Sequence, residues 1–244
     1  MSRRIRWLTL GGAGLVVVAT VVLSAWLLLS SIDEPGIVVV PGAEELRDQA
    51  ADALRSATSL HFEINHEEGG TPLGSGLTLY SAEGDALFPD RAEMVAKARA
   101  EQFGVTLDIG IIQVGPTAYL RDPIGRDWST VPPESLPFDF TAMNASLGDA
   151  LVAATDLTAA IGARVDGVAT FVLTGKVRPQ DFRGLVPNAP EGAPMELTAW
   201  IGQEDSLPRS VRLTGKLIAG DPASMTRLLK LKDFNKRVTV EPPI

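Results

Sequence analysis

Few residues of this chain have the type and spacing to carry out chemistry. His61 and His66 are its only histidines, and the sequence contains no cysteine. Five positions apart on a strand, the two histidines point to opposite faces of a sheet, so they cannot share a metal ion through that strand. We therefore interpret both as polar strand residues. The lack of cysteine excludes disulfides, thiol nucleophiles and thiolate metal sites.

The phosphate-binding and nucleophile motifs are incomplete. Gly175-Lys176 and Gly215-Lys216 lack the earlier glycine and the following Ser or Thr of a P-loop. Gly74-Ser75-Gly76 is not a nucleophile elbow, and His66-Glu67-Glu68 does not continue to a second histidine. The sequence thus predicts no catalytic residue, no metal site and no cofactor. A catalytic pair of carboxylates, one acting as acid and the other as base, remains an alternative. We interpret the chain as a binding protein and not an enzyme.

The overall charge argues against nucleic acid as a partner. The 244 residues carry 22 Lys or Arg against 30 Asp or Glu, a formal net charge of -8. A chain that binds phosphate backbones needs a basic surface, which this composition does not offer.

The N-terminal stretch of the chain has the features of a membrane anchor. Trp7 to Leu29 contains no charged residue, and Arg3, Arg4 and Arg6 precede it. At about 1.5 Å per residue this stretch makes a helix of roughly 35 Å, enough to cross a bilayer core of roughly 30 Å. The positive-inside rule keeps the basic tail in the cytoplasm. A cleaved signal peptide is the alternative, although the apolar run is long for one and Ser24-Ala25-Trp26 is a poor cleavage site.

These features predict a single-pass protein of the cell membrane with most of its chain on the extracytoplasmic side. The predicted division is a cytoplasmic tail (residues 1–6), a transmembrane anchor (7–31), a linker (32–42) and one extracytoplasmic domain (43–244). About 200 residues are enough for one domain with a substantial core.

Periodicity divides the domain into strands and two main helices. Helical spacing predicts helices over Ala43–Thr58 and Asp149–Ala160. Turns are expected at Glu67–Gly74, Gly84–Asp90 and Asp166-Gly167. Alternation predicts strands over Leu60–His66, Gly76–Ala82, Arg91–Arg99, Phe103–Val114, Thr117–Arg121, Val168–Val177, Met195–Ile201, Ser210–Ile218, Leu228–Leu231 and Arg237–Glu241. About nine or ten strands with two separate helices indicate the α+β class. An antiparallel sheet of that size tends to curl, and the helices are available to cover its concave face.

A set of short motifs runs along the exported part of the chain. They are Ser59-Leu60-His61-Phe62, Ala82-Glu83-Gly84-Asp85, Phe88-Pro89-Asp90-Arg91, Val114-Gly115, Ala118-Tyr119-Leu120, Trp128, Leu136-Pro137-Phe138-Asp139, Val165–Thr170, Ala199-Trp200-Ile201-Gly202, Leu207–Val211 and Leu231-Lys232-Asp233-Phe234. In their order and spacing, which together are fairly specific, these motifs resemble the LppX/LprA/LprF/LprG family of actinobacterial envelope lipoproteins.

The resemblance implies a half-barrel, in which a strongly curved antiparallel sheet wraps helices around a hydrophobic cavity for lipid or glycolipid acyl chains. The carrier LolA and the regulator RseB look like distant relatives. Family members are usually anchored through a lipobox cysteine, which this chain lacks, so the N-terminal helix would anchor it to the cytoplasmic membrane instead. Because the family's activity is the carriage of lipids, the resemblance implies no catalytic residue in this chain.

By pattern alone the apolar strand and helix faces fit an ordinary core, and the resemblance implies that they line a cavity instead. The candidates are Phe62, Ile64, Leu77, Leu79, Met94, Val105, Leu107, Ile109, Leu151, Val152 and Leu157. The function expected is a membrane-anchored carrier in lipid transport or envelope assembly, with a membrane transporter as a possible partner. The alternative is an anchored sensor that acts through a membrane protein.

Overall fold

One large antiparallel sheet and two α-helices make up the chain over residues 38–74 and 76–243, which the computed structural model describes. The predicted anchor Trp7–Leu29 lies outside these residues. Within them, no helix combines the length and the apolar character that crossing a membrane requires. The predicted α+β class with an antiparallel sheet and two main helices is confirmed.

Twelve strands form the sheet, all of them paired antiparallel. They are β1 (Ser59–Glu68), β2 (Thr71–Gly74), β3 (Leu77–Leu87), β4 (Arg91–Ala100), β5 (Val105–Val114), β6 (Thr117–Arg121), β7 (Trp128–Val131), β8 (Thr155–Ile161), β9 (Thr170–Val177), β10 (Met195–Gly202), β11 (Pro208–Thr214) and β12 (Thr226–Lys232). Their order is β7-β6-β5-β4-β3-β1-β12-β11-β10-β9-β8, with β2 paired to β3. Because β7 and β8 lie at opposite ends of this order, the sheet is not closed.

The two halves of the sheet meet at its centre. From β1 the chain moves strand by strand to the edge at β7, and then begins again at the other edge with β8. The last strand, β12, returns to pair with β1, so that Phe62 lies opposite Leu231 and Ile64 opposite Leu229. Residues far apart in sequence therefore share the central floor of the sheet.

Helix α1 (Ala43–Ser56) buries one face. Leu46, Ala50 and Leu54 are each at most 1% exposed, and Glu44 and Glu45 occupy the first turn, where the helix dipole favours acidic side chains. Burying a leucine side chain contributes about 1.5–3 kcal/mol, so this face suffices to dock the helix. The predicted helix is confirmed, although it ends at Ser56 and not at Thr58.

Helix α2 (Met143–Val152) packs against α1. A Cβ at Gly148 would lie 3.1 Å from the carbonyl oxygen of Ala51, so glycine permits this close approach. Arg55 Nη2 lies 2.7 Å from Asp149 Oδ1 across the pair, and Asn144 Nδ2 donates to the Ala57 carbonyl oxygen at 3.2 Å. The side chain of one helix thus satisfies a carbonyl at the end of the other.

The predicted helix Asp149–Ala160 is wrong beyond its first turn. The helix ends at Val152, and Thr155–Ile161 is the edge strand β8. Asp156 has φ 54°, a left-handed conformation that a helix does not accept, and the register with β9 shifts there. Leu157 then packs on the core by strand alternation and not by helical spacing.

Two of the three predicted turns have opposite outcomes. Asp166 and Gly167 have φ 48° and 82°, the backbone of a tight hairpin turn, so that prediction is confirmed. Gly84, by contrast, lies inside β3, where a Cβ would come within 2.1 Å of the Glu93 carbonyl oxygen on β4. Glycine is needed there because the strands approach closely, and the turn predicted from Gly84 begins only after Leu87.

Two further differences concern strands. The predicted turn Glu67–Gly74 contains the short strand β2. The predicted strand Arg237–Glu241 is irregular, although Val240 is 1% exposed and its carbonyl oxygen accepts a hydrogen bond from Arg91. This end of the chain is held by packing and a side-chain contact, which alternation alone does not distinguish from a strand.

Candidate functional site

An apolar cavity of about 60 Å³ lies between the helix-covered face of the sheet and the segments that cover it. Its floor comes from β1, β3, β11 and β12, and its roof from α2 and the one-turn 3-10 helices at Phe140–Ala142 and Pro179–Phe182. The lining consists of Ile64, His66, Thr71, Leu79, Phe138, Phe140, Leu147, Phe182, Leu185, Val186, Val211, Leu213, Leu217, Arg227 and Leu229.

Strand register explains why these floor residues meet. Ile64 pairs with Leu229, and Leu229 pairs with Val211, so one apolar row crosses three strands. The neighbouring row contains Phe62, which is fully buried. Its ring stacks on that of Phe140, with the ring centroids 5.0 Å apart and the ring planes at 4°. The stack fixes one side of the cavity where the sheet meets its cover.

A second, smaller void of about 10 Å³ continues the apolar layer toward α1. Leu147, Phe182 and Val211 line both spaces, so these side chains form a wall that the two spaces share. The remaining walls of the second void are Leu54, Ala150, Leu151, Val177 and Leu197.

One end of the cavity is polar. His66 and Arg227 are cross-strand partners on the helix-covered face, in the row after Ile64 and Leu229. Arg227 Nη2 donates to Thr71 Oγ1 at 2.8 Å, and His66 Nε2 lies 2.8 Å from the same hydroxyl. Burial lowers the pKa of His66, which keeps this imidazole neutral at neutral pH.

Arg227 is held by a buried carboxylate from the loop before it. Asp221 Oδ2 lies 2.6 Å from Arg227 Nη2 and also accepts the backbone N–H groups of Leu217 and Ile218, each at 2.9 Å. The Asp221 side chain is 0% exposed and that of Arg227 is 9% exposed. The pair therefore ties the β11–β12 loop over this end of the cavity.

The predicted lining residues fall into three groups. Ile64 and Leu79 line the cavity, Leu151 lines the smaller void, and Phe62 lies in the core beside Phe140. Met94, Ile109 and Leu157 pack in the same core away from either space, and Leu77 and Leu107 are partly buried. Val105 is 47% exposed and Val152 is 43% exposed.

Sequence reasoning missed the roof and the polar end. Phe138 lies in a loop, and Phe140 and Phe182 lie in one-turn 3-10 helices, all in segments too short for periodicity to mark an inward face. Arg227 and His66 lie on inward faces of strands, which the alternation of β1 and β12 does indicate. The alternation of the two strands places both residues on the inward face, but polar residues are expected to face solvent, so they were not assigned to the site.

The outer face of the sheet carries a separate open groove of about 370 Å³, lined in part by His61, Asp85, Glu93 and Arg121. His61 Nδ1 lies 2.9 Å from Asp85 Oδ1, and burial with the nearby Asp85 charge raises the pKa of the Glu93 carboxyl. His61 and His66 thus face opposite sides of the sheet, as predicted. Over residues 38–74 and 76–243, no cluster of three His, Asp or Glu side chains could hold a metal ion.

Comparison with known proteins identifies the family to which this chain belongs. The model of the family described as LppX_LprAFG lipoprotein matches residues 42–240. The chain belongs to the LppX_LprAFG family. This family consists of envelope-associated lipoproteins, and the resemblance drawn from the sequence motifs is confirmed. A search of curated proteins with the sequence finds no match.

Solved structures of LppX_LprAFG members show the same fold. The crystal structure of LprF from Mycobacterium bovis matches with a TM-score of 0.62 and 16% identity, over 82% of this chain and 96% of that one. LppX from Mycobacterium tuberculosis matches with a TM-score of 0.57 and 21% identity, over 82% and 98%. A LolA superfamily protein from Nitrosomonas europaea matches at a TM-score of 0.30 and 10% identity, over 82% and 95%.

Proposed function

We propose that this protein is an extracytoplasmic carrier that binds the acyl chains of a lipid or glycolipid between its sheet and helices, for lipid transport or envelope assembly. The observation that carries the proposal is the apolar cavity of about 60 Å³ with one polar end, in a chain of the LppX_LprAFG family. A lipid likewise has an apolar part, its acyl chain, and a polar part, its headgroup, at one end. Each buried CH₂ contributes roughly 0.8 kcal/mol, so about ten of them supply about 8 kcal/mol without any polar contact.

Binding of a lipid requires the cavity to expand. Sites for small molecules occupy roughly 300–1,000 Å³, several times the present space. The smaller void shares Leu147, Phe182 and Val211 with the cavity, so outward movement of α2 and the Pro179–Phe182 turn joins the two. In the expanded state the sheet is the wall of a half-barrel, and the helices and irregular segments close over the ligand.

The uncharged segment Trp7–Leu29 anchors the carrier in the cytoplasmic membrane in this proposal, in place of the lipobox cysteine that the chain lacks. Residues 32–42 then act as a tether that keeps the cavity close to the bilayer. Loading and unloading take place within reach of that tether, from a membrane transporter or from the bilayer itself.

The test is native mass spectrometry of the full chain purified from membranes of its source, followed by organic extraction and identification of bound lipid. Val211→Phe should reduce lipid occupancy severalfold, because the larger side chain fills the wall shared by both spaces. Val95→Phe is the matched control, since Val95 is 42% exposed on the outer face. A folded protein that carries no lipid and takes up no added fluorescent lipid would overturn the carrier and favour the anchored sensor.

A further inference from the structure

The polar end of the cavity retains unused hydrogen-bonding capacity. Arg227 Nη1 and Asp221 Oδ1 are buried, and neither has a partner within the described part of the chain. A buried donor or acceptor without a partner costs about 1–3 kcal/mol, and native proteins contain few of them. Arg227 lines the cavity and Asp221 contacts Arg227 directly, so the ion pair borders the polar end of the cavity.

The hydrogen-bond donors of the neighbouring His66 and Thr71 side chains are already engaged. The Tyr80 carbonyl oxygen, 2.9 Å from His66 Nδ1, can only accept, so Nδ1 carries the proton of the neutral imidazole and Nε2 accepts from the Thr71 hydroxyl. The Thr71 oxygen in turn accepts from Arg227 Nη2. Every donor in this chain of hydrogen bonds is therefore engaged, and the Nη1 amino group of Arg227 and Oδ1 of Asp221 are the groups left without a partner in the part of the chain that the structure describes.

We propose that Arg227 and Asp221 form a polar subsite that binds a hydroxyl of an uncharged lipid headgroup. This inference rests on the proposed carrier function. A hydroxyl both donates and accepts, and it matches the open acceptor and the open donor. The ion pair has no net charge, so a phosphate or carboxylate that approached Arg227 would bring an uncompensated negative charge close to the Asp221 carboxylate.

The experiment uses three probes with the same twelve-carbon chain and different headgroups. Dodecyl-β-D-glucoside has an uncharged headgroup with hydroxyls, dodecyl phosphate is anionic, and methyl laurate has no hydroxyl. Affinities are measured by calorimetry on the purified full chain in amphipol, with each probe below its micellar concentration. We expect the glucoside to bind about tenfold tighter than either other probe, the fold-change of a hydrogen bond of about 1.4 kcal/mol.

The variant that removes the subsite is Asp221→Asn with Arg227→Met, which eliminates both charges together. It should lose the roughly tenfold preference for the glucoside and bind methyl laurate as the wild type does. Lys230→Met is the control, because Lys230 lies on the same strand and pairs with Glu63 and Ser210 away from the cavity. Arg227→Lys, which keeps a positive partner for Asp221, serves if the double variant does not fold.

The outcomes separate this inference from the carrier function. Equal affinity for all three probes, or a glucoside preference that survives in the double variant, overturns the subsite and leaves the carrier intact. Tighter binding of the phosphate overturns the selectivity for an uncharged headgroup. If no probe binds, the carrier function itself fails.

Discussion

The buried Arg227–Asp221 pair allows the contribution of one charge to stability to be isolated. Asp221 Oδ2 accepts three hydrogen bonds, from Arg227 and from the Leu217 and Ile218 amides. Asp221→Asn with its oxygen at that position keeps all three contacts, removes the charge and replaces the unpaired Oδ1 by an amide NH2 group. Arg227→Met removes the other partner and leaves a carboxylate that is 0% exposed. Breaking a buried pair from either side costs about 3–5 kcal/mol, because the remaining charge stays desolvated.

The double variant should be more stable than either single one, since it leaves no buried charge. We therefore expect a coupling free energy of at least about 3 kcal/mol between the two positions. With a urea m-value of about 3 kcal/mol per molar, each single variant lowers the unfolding midpoint by about 1 M or more. Equilibrium urea unfolding of the four proteins, followed by far-UV circular dichroism, measures these quantities. Additive single losses, or single losses below about 1 kcal/mol, would show that the pair is effectively solvated.

Three further predictions concern other parts of the fold. Because burial lowers the pKa of His66, the unfolded chain takes up that proton more readily. Stability should fall as the pH decreases below about 6.5, and His66→Gln should flatten this slope between pH 7.5 and 5.5; equal slopes would contradict it. Gly84→Ala places a Cβ 2.1 Å from the Glu93 carbonyl oxygen and should cost about 3 kcal/mol in thermal or urea unfolding, whereas Ser81→Ala on the same strand should have little effect. The Asp139 amide, which donates to the Leu185 carbonyl oxygen at 2.8 Å, should keep its protection from hydrogen exchange when lipid occupies the cavity, because this bond joins two roof segments that move together; faster exchange in a loaded protein would show that the roof segments separate from each other.

Strand periodicity made much of the sheet predictable from sequence. In β4, Ala92, Met94, Ala96 and Ala98 alternate with exposed or partly exposed residues, and the observed strand has the predicted start at Arg91. Long alternating segments of this kind specify both the strand and its buried face. Strand β8 was mistaken for part of a helix because Leu157 and Ile161, four positions apart, continue the helical spacing of the apolar residues in α2. Its identity depends on pairing with β9, which is a tertiary contact.

The candidate site was less predictable, because its parts come from different levels of structure. Ile64 and Leu79 could be assigned to it from strand faces, whereas Phe138 and Phe182 reach it from irregular segments without a period. The ion pair combines a loop carboxylate with a strand guanidinium, and nothing in their spacing requires contact. Such residues are placed by the path of the loops over the sheet, which depends on the whole topology.

The way the cavity is enclosed determines which side of it can move. Its floor consists of strands joined by continuous backbone hydrogen bonds, for example the five residue pairs between β11 and β12. Its roof is held mainly by apolar contacts, and in the part of the chain that the structure describes, the hydrogen bond from Asp139 to Leu185 joins two of its segments to each other and not to the floor. The methylene groups of a ligand can take over the apolar contacts that the roof loses when it moves away from the floor. They cannot replace the backbone hydrogen bonds that would break if two strands of the floor separated. Expansion should therefore separate roof from floor while the Arg227–Asp221 pair, fixed to β12 and its loop, keeps the polar end in place.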